Sequence, residues 1–397
     1  MAKKRYEHTN NNKPNFRASS IELFNRDIKP QNDNKIYTRD EDNLYPQRIE
    51  LICNNSPTAR RCATLMSKYI IGNGVSESQN IEINSKGEKI NDLSEKIADD
   101  IAVQGGAYLH IRYNLKDDYS LDFKKDIELL DYVRMAKSKE DDNGYSGRFF
   151  RLDIKEKGLF SNVEDKTQWY YPFNDDKEIV KSQMIADCKA IGIEEPTLAE
   201  MIKHQRGQVL YLNMTPKYIY ALPLIDSVYN DCDTEFRLSL YNNTQTRRGF
   251  LGQTVVVRYY NEDNDDDTEF EDKIKNSLGA ENSSNVLTID VPLGATDDLN
   301  KAFVVKQLEP QFDDKLFSSL EKSIEKRIMK AFNNIPEGLV TSGDGALFGV
   351  NAETFNQMKM FYWEQNERER RKLESTFKML GYEVEFQPFN IVSNGIL

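Results

Sequence analysis

Two stretches of this chain place an apolar residue at every fourth position. Leu224, Val228, Cys232, Phe236 and Leu240 form the first, and Phe312, Leu316, Leu320, Ile324 and Ile328 the second. That spacing predicts amphipathic helices over 222–243 and 312–333. Pro223 suits the first helical position of one, and Pro336 closes the other. Between them, Thr254 to Tyr260 and Val286 to Val291 read as strands, with a short helix from Phe270 to Leu278. This β-α-β insert of about sixty residues, Gly249 to Pro310, requires the chain to leave a main body along one helix and return along another.

The body before the first of these helices reads as α+β. Pro46 opens a helical stretch and Pro57 restarts it, with Ala59, Cys62, Ala63, Met66 and Ile70 on one face. Gly72-Asn73-Gly74 then supplies a left-handed stop. Ile90, Leu93, Ile97 and Ile101 share a face of a second helix, which Gly105-Gly106 ends. Strands are expected over Ala107 to Tyr113, Ile127 to Ala136, Phe149 to Ile154 and Gln168 to Phe173, mostly antiparallel. After the second amphipathic helix, residues 336–352 hold four glycines and few helix formers, so they read as a mobile loop. A single helix is expected from Ala352 to Leu380, ~43 Å long at 1.5 Å per residue. Tyr382 to Phe389 alternates as a closing strand.

The chain has 397 residues, 53 Lys and Arg against 65 Asp and Glu, and a net charge of −12. An acidic balance argues against tight wrapping of nucleic acid, which needs a concentrated basic surface. Charge is uneven: residues 1–30 carry seven Lys and Arg against three Asp and Glu, a net of +4. This Asn-rich head reads as a flexible basic arm. It is either a terminus without a role or a segment that docks on an acidic partner or on phosphate. A 39% hydrophobic share and a mean hydropathy of −0.68 are lean for this length. They fit a subunit that buries part of its surface against copies of itself. No apolar run reaches the ~20 residues of a membrane span, and the first thirty residues lack the apolar core of a signal peptide. Cys53, Cys62, Cys188 and Cys232 are scattered and read as free, partly buried thiols.

No catalytic constellation assembles from the sequence. There is no phosphate-binding G-x-x-x-x-G-K-[ST] and no H-E-x-x-H. His8, His110 and His204 lie far apart, and His110 sits mid-strand, where a structural histidine is expected. Gly144-Tyr145-Ser146-Gly147 has Arg148 where a nucleophile elbow needs glycine. In the run from Glu262 to Asp272, Asp263, Asp265 and Asp267 alternate like the start of a calcium loop. Thr268 stands where that loop needs glycine and Ile274 where it needs a bidentate Glu, so a solvated loop is the reading. The expectation is a non-enzyme without cofactor or resident metal.

The order of parts resembles the portal protein of tailed bacteriophages, of the short, HK97-like type. Asn43-Leu44-Tyr45-Pro46, Asn54-Asn55-Ser56-Pro57-Thr58 and Ile71-Gly72-Asn73-Gly74 resemble the opening helices of that family. Gly105-Gly106-Ala107-Tyr108 and Tyr132-Val133-Arg134 resemble its wing. Leu278-Gly279 with Asn282 to Leu287 is similar to its clip. Ala331-Phe332, Ile335-Pro336, Gly345 to Gly349 and Ala352 to Phe355 resemble its helix, tunnel loop and helix. The likeness runs in order over roughly residues 35–390.

The resemblance implies a portal-like α+β fold with this division: basic arm 1–30, mixed α/β wing 31–221, first stem helix 222–248, clip 249–310, second stem helix 311–335, tunnel loop 336–352, and a long core helix with closing strand 353–397. Only seventeen residues follow Leu380, so a helical crown is expected to be minimal or absent. The resemblance further implies a homo-oligomeric ring, usually of twelve subunits, at one capsid vertex of a virion. Double-stranded DNA would enter and leave through it. Its partners would be the terminase large subunit, which hydrolyses ATP, a head–tail adaptor and the major capsid protein, with no membrane. Thr341, Ser342, Gly343, Asp344, Gly345 and Asn351 would face DNA. Asp263, Asp265, Asp266, Asp267 and Asn282 would face the adaptor, and Glu367, Arg368, Arg370 and Arg371 the neighbouring subunit. The alternative is another head-completion or capsid-associated assembly protein without a channel.

Overall fold

A computed structural model of the chain describes residues 36–40, 43–118, 121–139, 149–153, 166–247, 254–260, 286–292, 314–340 and 352–389. Helices α1 (Tyr45–Asn55), α2 (Pro57–Ile71) and α3 (Ile90–Gln104) come first. Pro at the start of α1 and of α2 fits the early helical positions, where no backbone donor is needed. Ser56 separates the two helices and caps the second, its hydroxyl accepting from the Ala59 amide at 3.1 Å. Gly105, left-handed at φ 75°, ends α3 and turns the chain into the sheet.

The sheet has six strands in the order β2-β1-β6-β5-β4-β3. They are β1 (Gly106–Leu115), β2 (Leu121–Leu130), β3 (Met135–Lys137), β4 (Phe149–Asp153), β5 (Lys166–Pro172) and β6 (Gln208–Asn213). Neighbours run antiparallel except β5 and β6, which are parallel. The parallel pair is possible because helices α4 (Lys177–Ala190) and α5 (Leu198–His204) carry the chain back between them. Those helices and β6 fall within a stretch whose sequence shows no sustained periodicity. The strand expected over 127–136 is instead β2, a 3-10 turn at Tyr132–Arg134 and β3.

Alternate residues of β1 serve opposite faces, as a pleated strand requires. Ala107, Leu109, Ile111 and Tyr113 join the main core with the helices. Tyr108 joins a second, aromatic cluster with Tyr132, Tyr170 and Val209.

Beyond β6, a 3-10 turn (Leu224–Val228) leads into α6 (Tyr229–Arg247). Strands β7 (Thr254–Tyr260) and β8 (Val286–Pro292) pair in parallel, Thr254 opposite Val286, as a separate two-stranded sheet. The helix expected at 270–278 lies outside the described residues. Helix α7 (Asp314–Ala331) then returns to the body. It stops before Pro336. Asn333 and Asn334 both adopt positive φ, and the Ile335 amide bonds back to Met329 at 3.1 Å. A short helix, α8 (Glu337–Val340), occupies the first part of the segment expected to be a loop.

The single long helix expected over 352–380 is two, α9 (Ala352–Gln365) and α10 (Glu367–Met379). Asn366 breaks it. Its buried side chain donates to the Tyr362 carbonyl at 2.8 Å and accepts from Asn333 at 3.0 Å, which competes with the helical ladder. The segment expected to be a closing strand joins no sheet. It lies against the end of α2, where the Asn73 amide donates to the Gln387 carbonyl and the Gln387 amide to the Gly74 carbonyl, each at 2.9 Å. A Cβ at Gly72, whose φ is 64°, would overlap the Gln387 carbonyl and the Trp363 ring. Gly72→Ala is therefore expected to lower stability by about 1–3 kcal/mol, read as a fall in the midpoint of urea unfolding.

Candidate functional site

Of the elements that the sequence marks for function, the paired helices α6 and α7 meet at a root against the start of α2. Glu235 of α6 reaches the N-terminus of α2. Its carboxylate accepts from the Thr58 hydroxyl at 2.7 Å and from the Ser56 hydroxyl. A carboxylate there is favoured by the orphan amides and the positive end of the helix dipole. Asp231, one turn earlier, takes the Arg327 guanidinium of α7 at 2.6 Å. Cys232 sits between these two acids and is fully buried.

Burial falls away along both helices. Val228, at the end of the 3-10 turn before α6, and Cys232 of α6 are buried, and Leu240 is 41% exposed. In α7 the order reverses: Leu320 is 41% exposed and Ile324 and Ile328 are buried. The Asp231–Arg327 pair near both roots fixes the helices as antiparallel. Among the described residues, each stripe is buried at its root and has an exposed member farther out, Leu240 on α6 and Leu320 on α7.

Cys53, Cys62 and Cys232 cluster against this root. Burial pushes the Cys53 thiol up to about 11, and the Cys62 and Cys232 thiols up to about 12. All four cysteines are free and buried, as expected from their spacing.

Of the residues expected at a subunit interface, two serve the chain's own packing. Arg370 is 8% exposed, lies 3.5 Å over the Trp363 ring and donates to the Trp363 carbonyl at 3.1 Å. Arg368 donates to the Met214 carbonyl at 2.7 Å. Glu367 and Arg371 pair along the outer face of α10. Thr341, Ser342, Gly343, Asp344, Gly345 and Asn351 lie outside the described residues, as do Asp263, Asp265, Asp266, Asp267 and Asn282. Of the expected tunnel loop, residues 336–340, which include α8, and Ala352 at the start of α9 are described. Among the described residues, no group of His, Cys, Asp and Glu is arranged to hold a metal, and no helix is long and apolar enough to cross a membrane.

Sequence reasoning missed Arg39. It is 4% exposed, donates to the Met135 carbonyl, and lies 5.3 Å from the Tyr132 ring and 4.7 Å from the Tyr220 ring. It pins the incoming chain to the aromatic face of the sheet by cation–π contact. A lone arginine before a helix carries no signal of burial, because its partners are aromatic rings distant in sequence.

No known family profile matches the chain, and no curated protein does. Among solved structures, it is similar to a chain of the "virion of native gene transfer agent (GTA) particle" at 13% identity and TM-score 0.44, covering 88% of this chain and 86% of that one. It is similar also to a chain of the "neck of native GTA particle computed with C12 symmetry" at 12% identity and TM-score 0.45, with the same coverages. A third, from the "neck of empty GTA particle computed with C6 symmetry", has 13% identity and TM-score 0.43, covering 89% and 86%. At this level of likeness the function rests on the chain's own features.

Two outcomes follow from the helix root. Glu235→Ala is expected to cost about 1–3 kcal/mol in urea unfolding, because it leaves two buried hydroxyls without their acceptor. The buried thiols keep their protons in the fold, so their contribution to stability is complete below about pH 9. It is lost as pH rises towards 11–12, where the folded-state thiols ionise. At pH 8, alkylation of Cys53 by iodoacetamide is expected to be about 100-fold slower in the folded protein than in urea.

Proposed function

We propose that this chain is the subunit of a portal: a closed ring at one vertex of a phage-like capsid, through which double-stranded DNA is packaged and ejected. The observation that carries this reading is the pair of antiparallel helices rooted in the body. Their outlying apolar residues lead to the small two-stranded sheet β7–β8. The order wing, helix, insert, helix, loop, helix is that of the family the sequence resembles.

The physics supports the reading in two further ways. Leu240, Tyr241 and Leu320 on the paired helices, and Met360 and Phe361 on α9, are large apolar side chains more than a third exposed. A neighbouring subunit would cover them in a closed heterologous ring. A net charge of −12 per subunit would repel phosphate from a channel wall, so DNA slides rather than sticks. In this reading the subunit is no enzyme and needs no cofactor; a terminase supplies ATP hydrolysis. The insert 249–310 meets a head–tail adaptor, and the glycine-rich segment after α8 faces DNA.

The test is native mass spectrometry with negative-stain imaging of the purified protein. Rings of about twelve subunits with a central hole are expected. A species that stays monomeric or dimeric at micromolar concentration overturns the reading. Leu240→Asp with Leu320→Asp is expected to shift the mass towards monomer and leave the melting temperature of the monomer within a few degrees, since both side chains are outlying.

A further inference from the structure

Helix α3 ends with two buried oxygens that no donor serves. Gln104 is 3% exposed; its amide nitrogen donates to the Pro46 carbonyl of α1 at 3.0 Å, and its Oε1 has no partner. Asp100 stands one turn earlier, and its Oδ2 is likewise closed to water and without a partner. While the carboxyl is ionised both atoms are acceptors, so neither can serve the other. Residues four apart on a helix share a face, with Cβ atoms about 5–6 Å apart. One proton on Asp100 changes the pair. Oδ2–H becomes a donor, Gln104 Oε1 becomes its acceptor, and both atoms are satisfied.

The charges around Asp100 favour that proton. Glu50 of α1, Asp99 of α3 and Asp131 at the corner after β2 share its wall of the body. Most bases there are engaged with other acids: Lys96 with Glu88, Lys86 with Glu128 at 3.1 Å, and Arg134 with Asp131 at 3.1 Å. Arg60 of α2 is the base that remains on this wall among the described residues. Burial pushes the phenol of Tyr132 up, so that ring adds no charge. Burial, with Asp131, Asp99 and Glu50 nearby, holds the Asp100 carboxyl well above the usual range.

We infer that the fold carries Asp100 as the neutral acid, its proton bonded to Gln104 Oε1, and that this proton locks the end of α3 to α1. With the proton, Gln104 is held at both ends of its amide, by Asp100 and by the Pro46 carbonyl. Without it, a fourth negative charge joins Glu50, Asp99 and Asp131, and two buried oxygens stand unserved. The joint is therefore sensitive to pH. The folded carboxyl keeps a proton that an unfolded one gives up at about pH 3.9. Its contribution to stability is complete below that pH and is lost as pH rises through the folded value. The loss is at most about tenfold in the unfolding constant per pH unit. The inference rests on the fold and not on the ring.

The test compares the full-length protein with Asp100→Asn, whose amide donates as the neutral acid does but cannot ionise. In urea unfolding, the ratio of wild-type to variant unfolding constants is expected to grow about tenfold or more between pH 5 and pH 8. NMR of labelled aspartate carboxyls is expected to show one signal, missing in Asp100→Asn, that stays protonated at pH 6, where an ordinary aspartate is ionised. Gln104→Met removes the acceptor and is expected to lower the midpoint of that signal by roughly one pH unit; burial alone would leave it in place. Amide exchange at Ile101 to Gln104, corrected for its intrinsic pH dependence, is expected to quicken between pH 6 and pH 8 in the wild type and not in Asp100→Asn. The wild-type NMR titration decides the protonation even where a variant fails to fold. The inference is overturned if every aspartate carboxyl is ionised at pH 6. It is overturned also if Asp100→Asn unfolds with the wild-type pH dependence, or if Gln104→Met leaves the midpoint unmoved.

Discussion

Helix α2 must be buried on nearly every side, and the rest of the body is arranged to do this. Only Pro57, Arg60, Arg61, Thr64 and Lys68 remain exposed, a narrow polar stripe on an otherwise buried fifteen-residue helix. Cys62, Met66, Tyr69 and Ile70 enter the main core. One layer of partners cannot cover so wide an apolar surface. The helices α1 and α3 take one side, and α7, α9 and α10 the others. Tyr69 packs edge-on against Tyr362 at 5.0 Å and Phe389 at 4.8 Å. The segment after α10 therefore belongs to the body because it closes over α2, not because it adds a strand. Its alternating pattern reflects one side packed against α2 and one side in water, which a strand would share.

Local chemistry was legible wherever one residue type decides the backbone. Pro57, Gly72 and Gly105 mark helix ends in the sequence and in the fold. The two apolar stripes at every fourth residue gave the paired helices α6 and α7 and their order around the insert. What escaped depends on distant partners. Asn366 is an ordinary polar residue in a helical pattern until Asn333 arrives 33 positions away in sequence to hold its side chain. Asn333 and Asn334 stop α7 by taking left-handed conformations, three and two residues ahead of Pro336, where the sequence made the stop conspicuous. Helices α4 and α5 show weak stripes because few of their side chains are buried: Val180, Met184, Asp187 and Cys188 on α4 and Met201 on α5.

The functional surfaces divide in the same way. A charged run such as Glu364 to Lys372 reads as a face for neighbouring subunits, yet its members have different fates. Arg370 is drawn inward by Trp363, seven residues earlier, and Arg368 by a carbonyl at the end of β6. Glu367 and Arg371 stay outside. Helical spacing does not separate these fates, because 370 and 371 lie three and four residues from 367 and share its side of the helix; the contact with Trp363 does. The pairing of Arg39 with Tyr132 and Tyr220 has no local signature at all, since strand order brings those rings together.

The root of the paired helices shows how one chain can hold a projecting element firmly without burying its length. Glu235 binds the start of α2, Asp231 binds Arg327, and Cys232 fills the gap between them. All three contacts lie within five residues of α6. Past that point the stripe continues through Leu240, which is 41% exposed. A hydrophobic surface of that kind costs about 25 cal/mol for each Å² left in water. The polar anchors therefore set the direction of the helices, and the apolar remainder is left for another surface to cover. Anchoring by charge and hydrogen bonds suits this division: these contacts fix geometry at the root, while Leu240 and Leu320 beyond it stay partly exposed.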